Sequence, residues 1–158
     1  MKINQLLVKS HGPYTNERVI NFTGGINPIS GTDVERTVLF NILKHSVMNS
    51  VPGIKVSFEG DISDFKRNLN LIFIDEEQIR KTADSMRSLT ANMSIGEKCF
   101  WAFNSILSVR ASLKKDLPLI MNANLFAILD SDYRLRLIDK LESLNTQIII
   151  FEKDFKEN

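Results

Sequence analysis

Little in this chain announces a site. Its one cysteine, Cys99, excludes an internal disulfide and any all-cysteine metal centre. The two histidines, His11 and His45, are well separated, and neither has a partner suggesting catalysis or metal binding. No apolar run approaches the roughly 20 residues needed to cross a bilayer, so no membrane-embedded role is expected. Lys2 precedes apolar residues at the N-terminus, but Asn4, Gln5 and Lys9 interrupt them too early for a secretory leader. A cytoplasmic protein is the expectation. Neither sign of charge prevails: 20 Lys and Arg against 19 Asp and Glu leave a net charge of +1, which by itself calls for neither nucleic acid nor a lipid surface. Internal repeats and low-complexity stretches are also missing.

What is present is an ordinary globular composition, 43% hydrophobic and 25% charged, with ten phenylalanines supplying much of the bulk. At 158 residues this predicts one domain, with an N-terminal lobe over about residues 1–75 and a C-terminal lobe over about 76–158. The first lobe reads as strands at residues 3–9, 18–22 and 26–30, divided by turn-prone residues around Gly12-Pro13 and Thr15-Asn16. An amphipathic helix follows over residues 38–48, with Leu39, Ile42, Leu43 and Val47 on one face, and Val51-Pro52-Gly53 ends it. Residues 54–58 and 69–74 read as further strands around a polar connection at 60–67. Asp75 and Gln78 then make a capping-box pattern before a helix with Ile79, Ala83, Met86 and Leu89 on its face.

A longer helix is expected over residues 95–113, with Cys99, Ala102, Phe103, Ile106 and Leu107 inward and Trp101 off that face. Residues 117–121 and 147–151 are continuous apolar runs, as strands buried on both sides of a sheet require. Between them a helix spans residues 132–144, with Leu137, Ile138, Leu141 and Leu144 inward. Helix, strand, helix, strand in that order predicts a parallel α/β layer behind the N-terminal antiparallel strands.

The chemistry-bearing positions follow a recognisable order. Gly31-Thr32-Asp33-Val34-Glu35-Arg36-Thr37 stands between a strand and a helix, where a phosphate-binding loop G-x-x-x-x-G-K-[ST] sits in nucleotide-binding folds. Met93-Ser94-Ile95-Gly96-Glu97-Lys98 is similar to an L-S-G-G-E/Q-K signature. Leu117-Pro118-Leu119-Ile120-Met121-Asn122-Ala123 occupies the place of a strand ending in Asp-Glu, and Leu129-Asp130 that of a D-loop. Residues 148–151 with Glu152-Lys153-Asp154 take the place of a switch strand ending in histidine. With the Gly12-Pro13-Tyr14 turn, this pattern resembles the ATPase head of the ABC superfamily, in its SMC/RecF class of DNA-repair and chromosome-maintenance ATPases. The resemblance covers nearly the whole chain. It implies a P-loop NTPase-like fold of N-terminal antiparallel strands plus a mainly parallel sheet flanked by helices.

The departures from that pattern concern the chemistry. A one-residue deletion puts Arg36 at the lysine position and Thr37 at the magnesium-binding hydroxyl; without it, Thr37 takes the lysine place and Val38 the hydroxyl. Only Gly31 keeps a loop glycine, while Val34 and Glu35 replace small residues, and Glu35 sets an anion where phosphate would rest. Asn122 replaces the magnesium-holding aspartate, Ala123 the glutamate that polarises the attacking water, and Lys153 the histidine at the terminal phosphate. The resemblance therefore implies a head without catalytic residues, and no cofactor is expected; magnesium-ATP stays open but is not favoured.

Plainer roles fit the same residues. Thr32 or Asp33 can cap a helix, Ser94-x-x-Glu97 is itself a capping box, and Asp130 or Ser131 can cap the next helix. Lys114-Lys115 with Arg134 and Arg136 can meet phosphate backbone or simply water. The family's coiled coil inserts between the lobes, but residues 74–94 hold only about five helical turns. Two arrangements fit: a head-only relative nearer RecF, or a head from which an arm has been removed. The leading expectation is a binding or dimerisation head that serves a protein partner or a second copy through Ser94, Gly96, Glu97 and Asp130. The alternatives are a weak ATPase using Arg36 and Thr37, and a nucleotide-independent nucleic-acid-binding domain.

Overall fold

The computed structural model describes residues 1–9, 14, 16–153 and 155. Gly12 and Pro13 of the expected turn, His11 and Asp154 lie outside the described residues. In chain order the elements are β1 (Lys2–Val8), β2 (Arg18–Asn21), β3 (Ile26–Pro28), α1 (Asp33–Met48), β4 (Ile54–Glu59), α2 (Ile62–Arg67), α3 (Leu69–Ile72), β5 (Phe73–Asp75), α4 (Glu76–Ser85), α5 (Arg87–Thr90), α6 (Ile95–Ser112), β6 (Leu119–Asn122), α7 (Leu125–Ile128), α8 (Ser131–Ser143) and β7 (Ile148–Ile150). Strands β2-β1-β4 form an antiparallel sheet, and β3-β7-β6-β5 form a second sheet whose pairings are all parallel. This is the expected α/β arrangement. The parallel sheet takes β3 and β5 from before residue 76 and β6 and β7 from after it.

The apolar runs dictate the layering. In β6, Leu119 and Met121 face one core while Ile120 faces the other; in β7, Ile148 and Ile150 oppose Ile149. One core packs this sheet on α6 and α8 through Phe103, Leu107, Leu137 and Leu141. The other packs it on α1 and the antiparallel sheet through Leu39, Leu43, Ile3 and Leu6. Strands buried on both faces have no polar face to present, hence the unbroken run of isoleucines in β7. Phe40 lies edge-on to Phe73 at 5.7 Å and to Phe151 at 6.0 Å, so α1 is seated on the sheet by aromatic packing.

Three local expectations change. Residues 69–74 are not one strand: a helical turn, α3, precedes the short β5, with Leu71 N–H and Ile72 N–H donating to Asn68 O. An apolar run of that length fits either form by periodicity alone, and here the buried Arg110 guanidinium takes Leu71 O. The connection at 60–67 contains α2, started by Asp61, whose carboxylate accepts from Ser63 N–H, and anchored by the buried Phe65. The helix after Asp75 stops at Ser85, so Leu89 stays 77% exposed and Thr90 is buried in its stead. α7 had no signal of its own in the sequence.

Candidate functional site

The C-terminal ends of the parallel strands open on a cleft of about 610 Å³, the place where open α/β sheets hold ligands. Its walls come from α1 (Asp33, Arg36, Thr37), the β5–α4 junction (Asp75, Glu76, Arg80), the β6–α7 loop (Asn122, Asn124) and Lys153 after β7. Four of the residues singled out from sequence, Arg36, Thr37, Asn122 and Lys153, are thus brought together. Gly31 and Ala123 do not line the cleft.

At the phosphate-loop position the chain closes on itself. α1 starts at Asp33, directly after Gly31-Thr32, with Gly31 at φ 138° making the tight entry that favours glycine. Thr32 is the N-cap: its Oγ1 accepts from Glu35 N–H at 3.2 Å and donates to Glu35 Oε1 at 3.2 Å. Arg36 N–H donates to Thr32 O at 2.9 Å. The Arg36 guanidinium folds back onto Gly31 O and the Asp33 carboxylate, leaving its side chain only 11% exposed. Asp33 and Glu35 put negative charge at the positive end of the helix dipole, where a phosphate would otherwise be favoured.

The facing wall has the same character. Asn122 ends β6 with a neutral amide, and Ala123 is buried. The residue that sequence reasoning missed is Glu152. It is 6% exposed, and its carboxylate accepts from Ala123 N–H at 3.0 Å and Phe126 N–H at 3.4 Å. Burial pushes its pKa up to about 7 against the opposing pull of backbone N–H groups from residues 123–126. Glu152 sets a carboxyl beside position 123, but it points into the protein and is not part of the cleft wall. Its only sequence signal was a charge directly after a buried strand. Lys153 is exposed at the rim.

The signature-like and D-loop-like residues converge elsewhere on the same end of the sheet. Ser94 caps α6, accepting from Glu97 N–H at 3.2 Å, and Asp130 caps α8, accepting from Tyr133 N–H at 2.9 Å. Tyr133 Oη donates to Glu97 Oε2 at 3.5 Å, linking the two first turns. Gly96 has a packing reason: a Cβ there would meet Ile128 O at 2.6 Å. Ile95, next to Gly96 in sequence, is 74% exposed, and Ile128 is 44% exposed.

Lys115 and Arg136, two of the cations singled out from sequence, stand apart. Lys115 pairs with Asp64 at 2.9 Å beyond the end of α6. Arg136 lies over the rings of Tyr133 (5.0 Å), Phe100 (5.4 Å) and Trp101 (5.7 Å), about 20 Å away along that helix. Trp101 is half-buried in this stack.

The residues at these positions are not the usual set for holding a magnesium nucleotide. The Glu35 N–H is already taken by Thr32, the candidate cation Arg36 is bound to Asp33, and Asn122 and Ala123 offer no carboxylate. Asp33, Asp75, Glu76 and Glu77 add negative charge to the cleft walls.

No protein-family model matches the sequence, and no curated protein matches it either. Among solved structures it is similar to the SMC head domain from Thermotoga maritima, with a TM-score of 0.67 over 98% of this chain and 90% of that one, at 12% identity. At that identity the likeness is one of fold, and the chain has the fold of an SMC head.

Proposed function

We propose that this chain is a non-hydrolysing head-fold module that acts by binding a protein partner or a second copy of itself, in a DNA-repair or chromosome-associated assembly. One observation carries the reading: in the first turn of α1 the Thr32 hydroxyl already takes the Glu35 N–H, and Asp33 already pairs with Arg36. An entering phosphate would have to break both and face Glu35. Asn122 and Ala123 support the same reading, since neither side chain can serve as a general base. The face that carries Ser94, Gly96 and Asp130 keeps an exposed apolar pair, Ile95 and Ile128, suited to partner contact.

Calorimetric titration with magnesium-ATP beside a phosphate-release assay tests this. Silence in both is the expected outcome. Turnover that Arg36→Ala abolishes would overturn the proposal in favour of a weak ATPase. Binding without release would leave a nucleotide-sensing head and refute the closed-turn argument.

A further inference from the structure

One stripe of α8 is exposed along its whole length. Asp132, Leu135, Arg136 and Asp139 recur at i, i+3, i+4 and i+7, so they share one side of the helix. Leu137, Ile138 and Leu141 face the core on the other side. Leu135 is 49% exposed, an apolar side chain in the middle of a charged stripe. Asp132 and Asp139 are spaced for helical ion pairs with Arg136. Among the described residues, however, neither carboxylate is within ion-pair distance of any cation.

The Arg136 guanidinium turns back along α8 instead. It lies over Tyr133 at 5.0 Å, with Phe100 and Trp101 of α6 at 5.4 and 5.7 Å. These rings fix one another: Phe100 is edge-on to Tyr133 at 4.9 Å and to Trp101 at 5.4 Å. Arg136 is therefore held in place before any partner arrives, and it loses little rotamer freedom on binding. Aromatic faces balance its charge but accept none of its hydrogen bonds as an oxygen would. Arginine and tryptophan at one surface spot are also the residue types that anchor protein interfaces.

The stripe has an acid at each end and Leu135-Arg136 in the middle, so it reads alike from both ends. A two-fold axis through that middle lays two α8 helices antiparallel, with Asp139 of the second copy level with Asp132 of the first. Helical side chains lean toward the N-terminus, and Arg136 reaches back to the level of Tyr133. It ends where Asp139 of the second copy arrives. A polyanion such as DNA would meet Asp132 and Asp139 on either side of the arginine, which disfavours it.

We propose that two copies of this chain associate through antiparallel α8 helices, with Arg136 of each bonded to Asp139 of the other and the Leu135 side chains covered between them. This rests on the reading of the chain as a binding module and names a second copy as its partner. A helix pair covers less than the roughly 800 Å² per partner of a standard interface. The dimer is therefore weak, with half-association expected at about 10–300 µM.

Sedimentation equilibrium of the full chain up to about 1 mM tests this, with emission of Trp101, the single tryptophan, as a second readout over the same series. Arg136→Glu and Asp139→Lys should each weaken association at least about tenfold, because each sets like charges opposite one another. The double variant Arg136→Glu/Asp139→Lys restores opposite charges and should return to within about threefold of the natural protein. Urea midpoints confirm that each variant is folded. Raising salt from about 50 to 500 mM should weaken the natural dimer and shift Trp101 emission toward its dilute value. A monomer at about 1 mM overturns the inference and gives the α8 stripe to a different protein. Association that ignores Arg136→Glu, or that the double variant fails to restore, overturns it too. Magnesium-ATP turnover would refute the proposed function and leave these results standing.

Discussion

Gln147 and Ile3, 144 residues apart, are joined by a reciprocal pair of hydrogen bonds: Ile3 N–H donates to Gln147 Oε1 and Gln147 Nε2 donates to Ile3 O, both at 2.7 Å. The same Nε2 donates to Thr23 O at 2.9 Å. One side-chain amide thus acts as a strand segment, tying the antiparallel sheet to the start of β7. Gln147→Leu leaves the backbone groups of Ile3 buried without partners. It is expected to lower stability by about 2–4 kcal/mol. Urea unfolding measures this, and a change within error would mean that water replaces the amide.

Stability should fall with rising pH on account of Glu152. Its folded pKa of about 7 lies above the ordinary 4.5, so the folded form binds the proton more tightly. The stabilisation is complete below about 4.5 and is lost progressively up to about 7, after which it levels off. The whole change is on the order of 3 kcal/mol. Urea midpoints at the two ends of that window, compared with Glu152→Gln, check it; equal slopes in the two proteins would remove Glu152 as the cause.

Gly96 is held by packing whatever else the signature does. Gly96→Ala places a methyl group 2.6 Å from Ile128 O, a contact that backbone must yield to relieve. A loss of about 1–3 kcal/mol is expected. Thermal unfolding reads it directly, and a neutral result would show that α7 moves freely.

Thr32 tests whether the α1 entry is a helix cap rather than a phosphate loop. Thr32→Ala removes the acceptor for Glu35 N–H and is expected to cost about 1 kcal/mol. Titration heats with magnesium-ATP should be the same, near zero, before and after. Appearance of binding in the variant would show that the capping box alone was excluding the nucleotide.

Ile95, at 74% exposed, contributes little to the core. Ile95→Glu should therefore leave the unfolding midpoint within about 0.5 kcal/mol of the parent. Sedimentation velocity over a concentration series is expected to show weaker self-association, or pull-down weaker partner capture. Unchanged association would place the contact on another face.

The sequence by itself determined much of this protein, wherever the deciding interactions are local. The helical faces of α1, α6 and α8, the doubly buried runs of β6 and β7, and the caps Thr32, Asp75, Ser94 and Asp130 are set within a few residues of one another. The Thr32 cap at the entry to α1 was legible for the same reason, because its partner Glu35 lies three residues on. Tertiary structure alone decided the helical turn of α3 before β5, since Arg110 reaches Leu71 O from 39 residues away. It alone put Gly96 under Ile128, Gln147 on Ile3 and Glu152 on the N–H groups of Ala123 and Phe126. Each of these depends on a partner that burial brings close, and a buried polar group takes whichever distant donor or acceptor the fold supplies.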